Sequence, residues 1–233
     1  MKRLKILGLA LVAAFALSAL AVASASATVA VILGGPTTFT GKSGKATLST
    51  VGGAEIKCEK AEVSNGNLTE NDARLAVNVL FDFGTGCTTQ LGGKCTSLLA
   101  NGTLDTAGLI LLTVEVHFAH LSTNHNHWEI VFLFPTLHIV CEKTLVGTIL
   151  IEVRKRNGNG VAGLISSGDA TKHTLTILGS KGVQEIKEYE YNEGENRTNV
   201  GLESSTNGGE FEEAAESAEG AEFTTGALTE VMG

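Results

Sequence analysis

The sequence predicts an all-β protein stapled by disulfides, and three observations support this fold class. Short runs of Val, Ile, Leu and Phe are separated by turn-forming residues, and the chain has 28 Gly but only 2 Pro. Few stretches show the longer period of an amphipathic helix. The four cysteines are an even number. We expect an antiparallel two-sheet sandwich, with a barrel as the alternative and a short helix near the C-terminus as an option.

The first 27 residues are typical of a secretory signal peptide. Lys2, Arg3 and Lys5 form a positive n-region, and an apolar run extends from Ile6 to Val22. The sequence Ala25-Ser26-Ala27 follows as a small-x-small cleavage site. We therefore expect a secreted protein, extracellular or loosely associated with the cell wall, with no stable membrane insertion after cleavage.

Charge divides the remaining chain into two parts. Residues 28–184 carry 12 basic and 12 acidic side chains, whereas residues 185–233 carry 2 basic and 13 acidic ones. The pattern after Arg154-Lys155-Arg156 becomes rich in turns. We expect a main β domain over 28–156 and an acidic β-rich part over 157–233 packed on the same domain. A chain with this acidic balance and no basic stripe does not fit a nucleic-acid partner.

Strands are predicted in order along the body. The clearest runs from Arg74 to Phe83, where Leu75, Val77, Val79, Phe81 and Phe83 alternate with mostly polar residues. A hairpin is expected from Leu109 to Phe134, and further strands over 136–141, 144–153 and 173–178. In the tail, Glu210 to Glu219 fits both a short amphipathic helix and an edge strand.

The cysteines indicate two disulfides, because an exported chain folds in an oxidising compartment. Three pairings are possible. The short Gly-containing segment between Cys87 and Cys95 favours a local Cys87–Cys95 bridge, which leaves Cys58–Cys141 as a long-range one. A zinc site is the competing interpretation, and the spacing of the cysteines does not favour it.

Several segments together resemble a known group of proteins. These are Glu55-Ile56-Lys57-Cys58, the run Phe81 to Cys87, Cys95-Thr96-Ser97, His138 to Cys141, and Leu202 to Phe211. In its cysteine frame and glycine positions the chain is similar to uncharacterised secreted four-cysteine proteins of high-GC soil bacteria, the actinobacterial hypothetical secreted proteins. The resemblance implies an exported β-rich fold and brings no activity, substrate or site.

The densest group of metal-ligating side chains lies in the predicted hairpin. It contains His117, His125 and His127, with His120 close by, and neutral imidazole is the commonest ligand for zinc and copper. On a regular strand His117 and His120 face opposite sides, so all four histidines converge only if the hairpin bends. A solvated polar loop explains the same residues. The three histidines are the candidate metal ligands.

Catalytic patterns give no candidate residue, so the enzyme question stays open, with a non-enzymatic protein favoured and no cofactor expected. The segment from Gly34 to Ser43 does not match a phosphate-binding loop, and no G-x-S-x-G pentapeptide occurs. The leading hypothesis is an exported surface-contact or structural protein of the cell envelope or medium, with an unknown ligand. Alternatives are a metal-binding protein or metal-dependent hydrolase, and a carbohydrate-binding module that uses Trp128, Tyr189 or Tyr191.

Overall fold

A computed structural model describes residues 28–33, 38–69, 72–99, 102–121, 124–156, 160–168, 172–190, 198–224 and 227–232. Within these ranges the chain forms strands and no helix. In order they are β1 (Thr28–Leu33), β2 (Thr38–Ser43), β3 (Ala46–Thr50), β4 (Glu55–Cys58), β5 (Ala61–Thr69), β6 (Asp72–Asp82), β7 (Thr88–Thr89), β8 (Lys94–Ser97), β9 (Leu111–Leu121), β10 (Asn124–Leu133), β11 (Leu137–Thr144), β12 (Gly147–Lys155), β13 (Val161–Gly168), β14 (Lys172–Ile177), β15 (Gly179–Ser180), β16 (Val183–Gln184), β17 (Glu188–Glu190), β18 (Thr198–Asn199), β19 (Leu202–Thr206), β20 (Glu212–Thr224) and β21 (Ala227–Met232).

Most of these strands form one closed antiparallel barrel. Seven of the eight wall strands are each composed of two shorter strands, and every wall strand pairs with the next one around the barrel. The wall strands are β2 with β3, β4 with β5, β6 with β7, β8 with β9, β10 with β11, β12 with β13, β14 with β19, and β20 by itself. The topology is therefore an eight-stranded meander.

The strand β20 closes the barrel. Its first half pairs with β3 and β19, and its second half pairs with β2 and β14. Because β20 has a partner on both sides, the first and last wall strands leave no open sheet edge there. The strands β1 and β21 form a separate two-stranded ribbon, and β1 lies next to β6 and β9.

The all-β class predicted from the sequence is confirmed, and two details of it are wrong. The preferred sandwich is a closed barrel, because β20 joins the two ends of the meander. The stretch from Glu210 to Glu219, which also fitted a short helix, lies mainly in β20, and the described residues contain no helix. Wall strands come from both sides of residue 157, so the acidic part contributes β13, β14, β19 and β20 to the same barrel.

The core fills the inside of the barrel. Alternate residues of β9 point inward and are buried, namely Leu112, Val114, Val116 and Phe118. Phe81 and Phe132 meet edge to face with their ring centroids 5.2 Å apart. Phe118 lies 6.5 Å from Phe223, which in turn stacks on His173 at 4.9 Å. These rings account for most of the bulk at one end of the interior.

Both disulfides join neighbouring wall strands, and the pairing predicted from the sequence is wrong. The bonds are Cys58–Cys87 and Cys95–Cys141, instead of Cys87–Cys95 and Cys58–Cys141. Cys95 and Cys141 are direct register partners on β8 and β11. Short sequence separation favoured Cys87–Cys95, and these residues are neighbours, since the Cys95 N–H donates to the carbonyl oxygen of Cys87. Their sulfur atoms instead bond to cysteines of the wall strands on either side. Two such bonds indicate an oxidising compartment.

Candidate functional site

The structure describes only part of the predicted histidine site. His117 lies on β9 with its Nε2 atom 2.6 Å from Oε1 of Glu115. His125 and His127 lie on β10, and their side chains are outside the described residues. Over the part of the chain that is described, no three His, Cys, Asp or Glu side chains form a group that could hold a metal ion. The three-histidine site therefore stays a prediction.

The strand register sets a condition on that site. His117 pairs with Val131, so His127 lies roughly 13 Å along β10 from the position opposite His117. The register shifts between Asn124 and Trp128, which places an irregularity at the end of the hairpin. Convergence of the three histidines on one ion would require a bend at this irregularity.

Among the residues that the structure describes, two small cavities of about 40 Å³ each lie inside the barrel. Ala46, Phe83 and Glu216 line both of them, and the other lining residues are mostly aliphatic or aromatic. A cavity must have a volume of about 10–15 Å³ to hold one water molecule, so each of these cavities has room for about three water-sized groups. Drug-sized ligands need pockets of about 300–1,000 Å³, so each of these two cavities is too small for one.

Glu216 is the acidic residue shared by the two cavities. It lies on the inner face of β20, where its neighbours on that face are Ala214 and Ala218. Burial raises the pKa of Glu216 to about 7. In the described part of the chain, no side chain makes a hydrogen bond or ion pair with its carboxyl group. A carboxyl group without a partner inside an apolar barrel is costly, so this position needs an explanation.

A second feature is the insertion, which we define as residues 178–201 between β14 and β19. It packs on the outer face of the barrel, where its Tyr189 and Val200 cover Ala119, Val131 and Ala162. Gly182, in a turn with a φ of +76°, approaches β20 so closely that a Cβ atom would lie 2.5 Å from the carbonyl oxygen of Glu213. A glycine is therefore required at this contact.

Two grooves flank the β15–β16 hairpin of the insertion. The polar groove has a volume of about 350 Å³, and its lining includes Arg156, Lys187, Asn199 and Glu213. The apolar groove is shallower, at about 810 Å³, and runs along Thr174, Thr176, Leu178 and Ser217. Val183 lines both grooves and is 47% exposed. We call this surface, from Arg156 to the outer face of β14, the insertion face.

Another buried carboxyl group lies on the outer face of β10. Glu129 is 0% exposed, and among the described residues neither of its carboxylate oxygens has a hydrogen-bond partner. Its strand partners are Ala119 and Leu164. Burial raises the pKa of Glu129 to about 8. A carboxyl group with this pKa is mostly protonated at pH 7 in the folded protein.

Sequence analysis missed both buried carboxyl groups. No acidic residue of the tail was predicted to be buried, whereas Glu216 is 8% exposed. A signal was present, since Glu216 is surrounded by Ala214, Ala215 and Ala218, and Glu129 interrupts an apolar run. The expectation that Tyr189 stacks on a sugar is also wrong, because this side chain is fully buried between the insertion and the outer face of the barrel. Tyr191 lies outside the described residues, and so does the side chain of Trp128.

Comparison with known proteins gives no relative: no protein-family model, no curated protein and no solved structure matches the chain. The described residues contain no helix that is long and apolar enough to span a membrane. The site must therefore be interpreted from its own chemistry.

Proposed function

We propose that this chain is an exported, non-enzymatic β-barrel protein that binds a ligand of the cell envelope or the extracellular medium through its insertion face. The observation that carries the proposal is the contrast between the filled interior and the grooved outside. The interior leaves two cavities of about 40 Å³, whereas the polar groove alone measures about 350 Å³. A ligand the size of a sugar residue or a peptide segment fits this groove and neither of the two interior cavities that the described residues line.

The chemistry of the insertion face suits binding. Leu178 and Val183 expose about half of their surface, and both line the apolar groove. Lys187 and Arg156 add positive charge in a chain whose net charge is −8. Arg156 forms an ion pair with Glu213, so among the described residues Lys187 is the groove cation that remains available to a ligand. Apolar contacts flanked by one cation favour a ligand that carries both apolar and anionic groups.

Export is supported by two independent features. The signal-peptide pattern of the first 27 residues predicts secretion, and the two buried disulfides fit an oxidising compartment. A closed barrel with cross-strand disulfides suits a protein that must stay folded outside the cell. Retention at the wall by surface contact is the part of the proposal that needs an experiment.

The first test is fractionation of cells that express the native gene. The chain is followed with an antibody in the medium, the cell wall and the membrane pellet. We expect recovery in the wall fraction and release by salt, because part of the contact is electrostatic. Recovery of the wild-type chain only in the medium would contradict an envelope ligand.

Two variants locate the contact. Val183→Glu places a charge in both grooves, and Lys187→Glu reverses the available cation. Both should move the chain from the wall fraction to the medium. Val146→Glu is the matched control, since Val146 is 69% exposed in the turn between β11 and β12, away from the insertion. If the two groove variants distribute like the wild type, the insertion face is not the binding surface.

A further inference from the structure

The inner face of β20 creates a chamber inside the barrel. Between residues 214 and 221 its inward side chains are Ala214, Glu216, Ala218 and Ala221, so one carboxyl group lies among three methyl groups. The small side chains leave the space that larger residues fill on the other wall strands. The two cavities that result meet at Glu216, which lines both. We call these two cavities the Glu216 chamber.

The backbone holds Glu216 firmly in place. Its N–H group donates a hydrogen bond to Oε1 of Gln184 from the outside of the barrel, over 3.1 Å. A Cβ atom on Gly179 would lie 2.6 Å from the carbonyl oxygen of Glu216, so the insertion packs tightly behind this residue. The backbone of Glu216 is therefore held by contacts with the insertion, and these contacts direct its carboxyl group into the chamber.

The charges around the chamber are few. The other charged residues that line it are Lys42 and Glu222, whose charged groups lie 3.9 Å apart near the surface. Lys172 also contacts Glu222, at 3.0 Å. His173 faces inward farther along, opposite Phe223, which is roughly 20 Å from Glu216 along β20. No cation of the described chain therefore neutralises Glu216.

We propose that the Glu216 chamber binds a small primary alkylammonium ion, whose N–H groups donate to the Glu216 carboxylate while its alkyl part occupies the apolar cavities. A carboxylate without a partner in an apolar space attracts a hydrogen-bond donor with positive charge. An anion would be repelled, and a neutral hydrocarbon would leave the carboxyl group without a partner. Each cavity has room for about three water-sized groups, so the ligand has three or four non-hydrogen atoms.

The proposal has a pH dependence that follows from the same residue. Burial raises the pKa of Glu216 to about 7 in the empty chamber. Only the ionised carboxylate pairs with an ammonium ion, so the proton must leave on binding. The apparent dissociation constant should be about 30-fold higher at pH 5.5 than at pH 8. A ligand this small binds with a dissociation constant on the order of millimolar.

The test is an NMR titration of the full mature chain, with both disulfides formed, using ethylammonium chloride as the probe. Sodium chloride at the same ionic strength is the reference. We expect saturable chemical-shift changes at the amides of Ala46, Phe83 and Glu216. The titration midpoint of the Glu216 carboxyl carbon should also move to lower pH when the probe is bound. The dissociation constant obtained from these shifts should be about 30-fold higher at pH 5.5 than at pH 8.

Three controls make the outcome decisive. Glu216→Gln keeps the shape of the side chain and removes the charge, so it should abolish binding at every pH. Glu219→Gln, at an exposed position three residues along β20, should leave binding unchanged. Ethanol has the size of the probe without its charge and should give no saturable shift. The proposal is overturned if ethanol binds as well as ethylammonium, or if Glu216→Gln still binds the probe. It is also overturned if the wild type shows no saturable shift with the probe at 100-fold the expected dissociation constant of about 1 mM.

Discussion

The backbone N–H of Glu216 donates a hydrogen bond to the side chain of Gln184, with the nitrogen and Oε1 3.1 Å apart. The Nε2 atom of the same glutamine donates to the carbonyl oxygen of Leu178 at 3.1 Å. Gln184 is 5% exposed, so both bonds are shielded from water. One side chain thus joins the insertion to the strand that closes the barrel and carries the interior carboxyl group.

Replacing this glutamine should destabilise the protein. Gln184→Ala leaves the buried N–H of Glu216 without an acceptor, and we expect the free energy of unfolding to fall by about 2–3 kcal/mol. Chemical denaturation at constant pH measures this loss. Gln90→Ala is the matched control, since Gln90 is exposed and makes one bond, from its Nε2 to the carbonyl oxygen of Gly53. Equal losses in the two variants would show that the buried bridge has no special weight.

The disulfides should contribute according to the loops they close. Removing Cys95–Cys141 with a double alanine variant opens a separation of 46 residues, and removing Cys58–Cys87 opens one of 29. The chain-entropy relation gives about 4.0 kcal/mol for the first bond and about 3.6 kcal/mol for the second. Denaturation of the two variants measures both losses.

The pairing itself is checked by peptide mapping without reduction. We expect one peptide pair that contains Cys58 with Cys87, and another that contains Cys95 with Cys141. A pair containing Cys87 with Cys95 would contradict the two bonds of the structure, although these cysteines lie next to each other on neighbouring wall strands.

Glu129 should make the protein less stable as the pH rises. Its pKa is about 8 in the folded state and near its ordinary value of 4.5 when the chain is unfolded. The folded state therefore binds more protons between these two values. The contribution to stability is fully present below pH 4.5 and is lost as the pH rises to 8, by up to about 1.4 kcal/mol per pH unit. Glu216 adds to the slope up to about pH 7.

Glu129→Gln isolates this effect. Between pH 7 and 8 the slope belongs mainly to Glu129, so it should largely disappear in the variant, which should also be more stable than the wild type at pH 8. Denaturation at pH 5, 6, 7 and 8 gives the slope. Glu219→Gln at an exposed site should keep the wild-type slope. A slope that persists in Glu129→Gln would mean that other groups titrate in this range.

The bulge in β6 should tolerate glycine and resist other residues. Asn78 has a φ of 57°, and the register of β6 against β9 shifts between Ala76 and Val79. Asn78→Ala should cost about 1 kcal/mol, because a Cβ atom is strained in this left-handed conformation and asparagine tolerates it better. Asn78→Gly should stay within about 0.5 kcal/mol of the wild type. Thermal unfolding of the two variants distinguishes them, and equal midpoints would argue against a strained backbone at this position.

Residue patterns predicted most of the strands, because hydrophobic alternation reports which face of a strand is buried. They predicted less where the backbone departs from regularity. Leu75 and Val79 were assigned to one face, yet Leu75 pairs with His117 and Val79 with Val114, which face opposite sides of β9. The bulge at Asn78 causes this change, and alternation in the sequence does not reveal a residue that adds to one strand only.

The candidate site was the least predictable part. From the local sequence, a glutamate among alanines is expected to be exposed to solvent, because small residues give no clear hydrophobic periodicity. Glu216 becomes an interior group only when β20 pairs with β3 on one side and β19 on the other. The cysteine pairing was predicted wrongly for the same reason. Cys95 and Cys141 meet only when β8 and β11, which are distant in the sequence, lie side by side.

Local composition was thus sufficient for the all-β class, the number of disulfides and the expected export, since each depends on residue types and short-range periodicity. Closure of the barrel, the cysteine partners, the burial of Glu129 and Glu216, and the grooves beside the insertion were settled by the tertiary structure. The physical reason is that these features depend on which strands lie side by side, and strand order is a long-range property that short-range patterns do not encode.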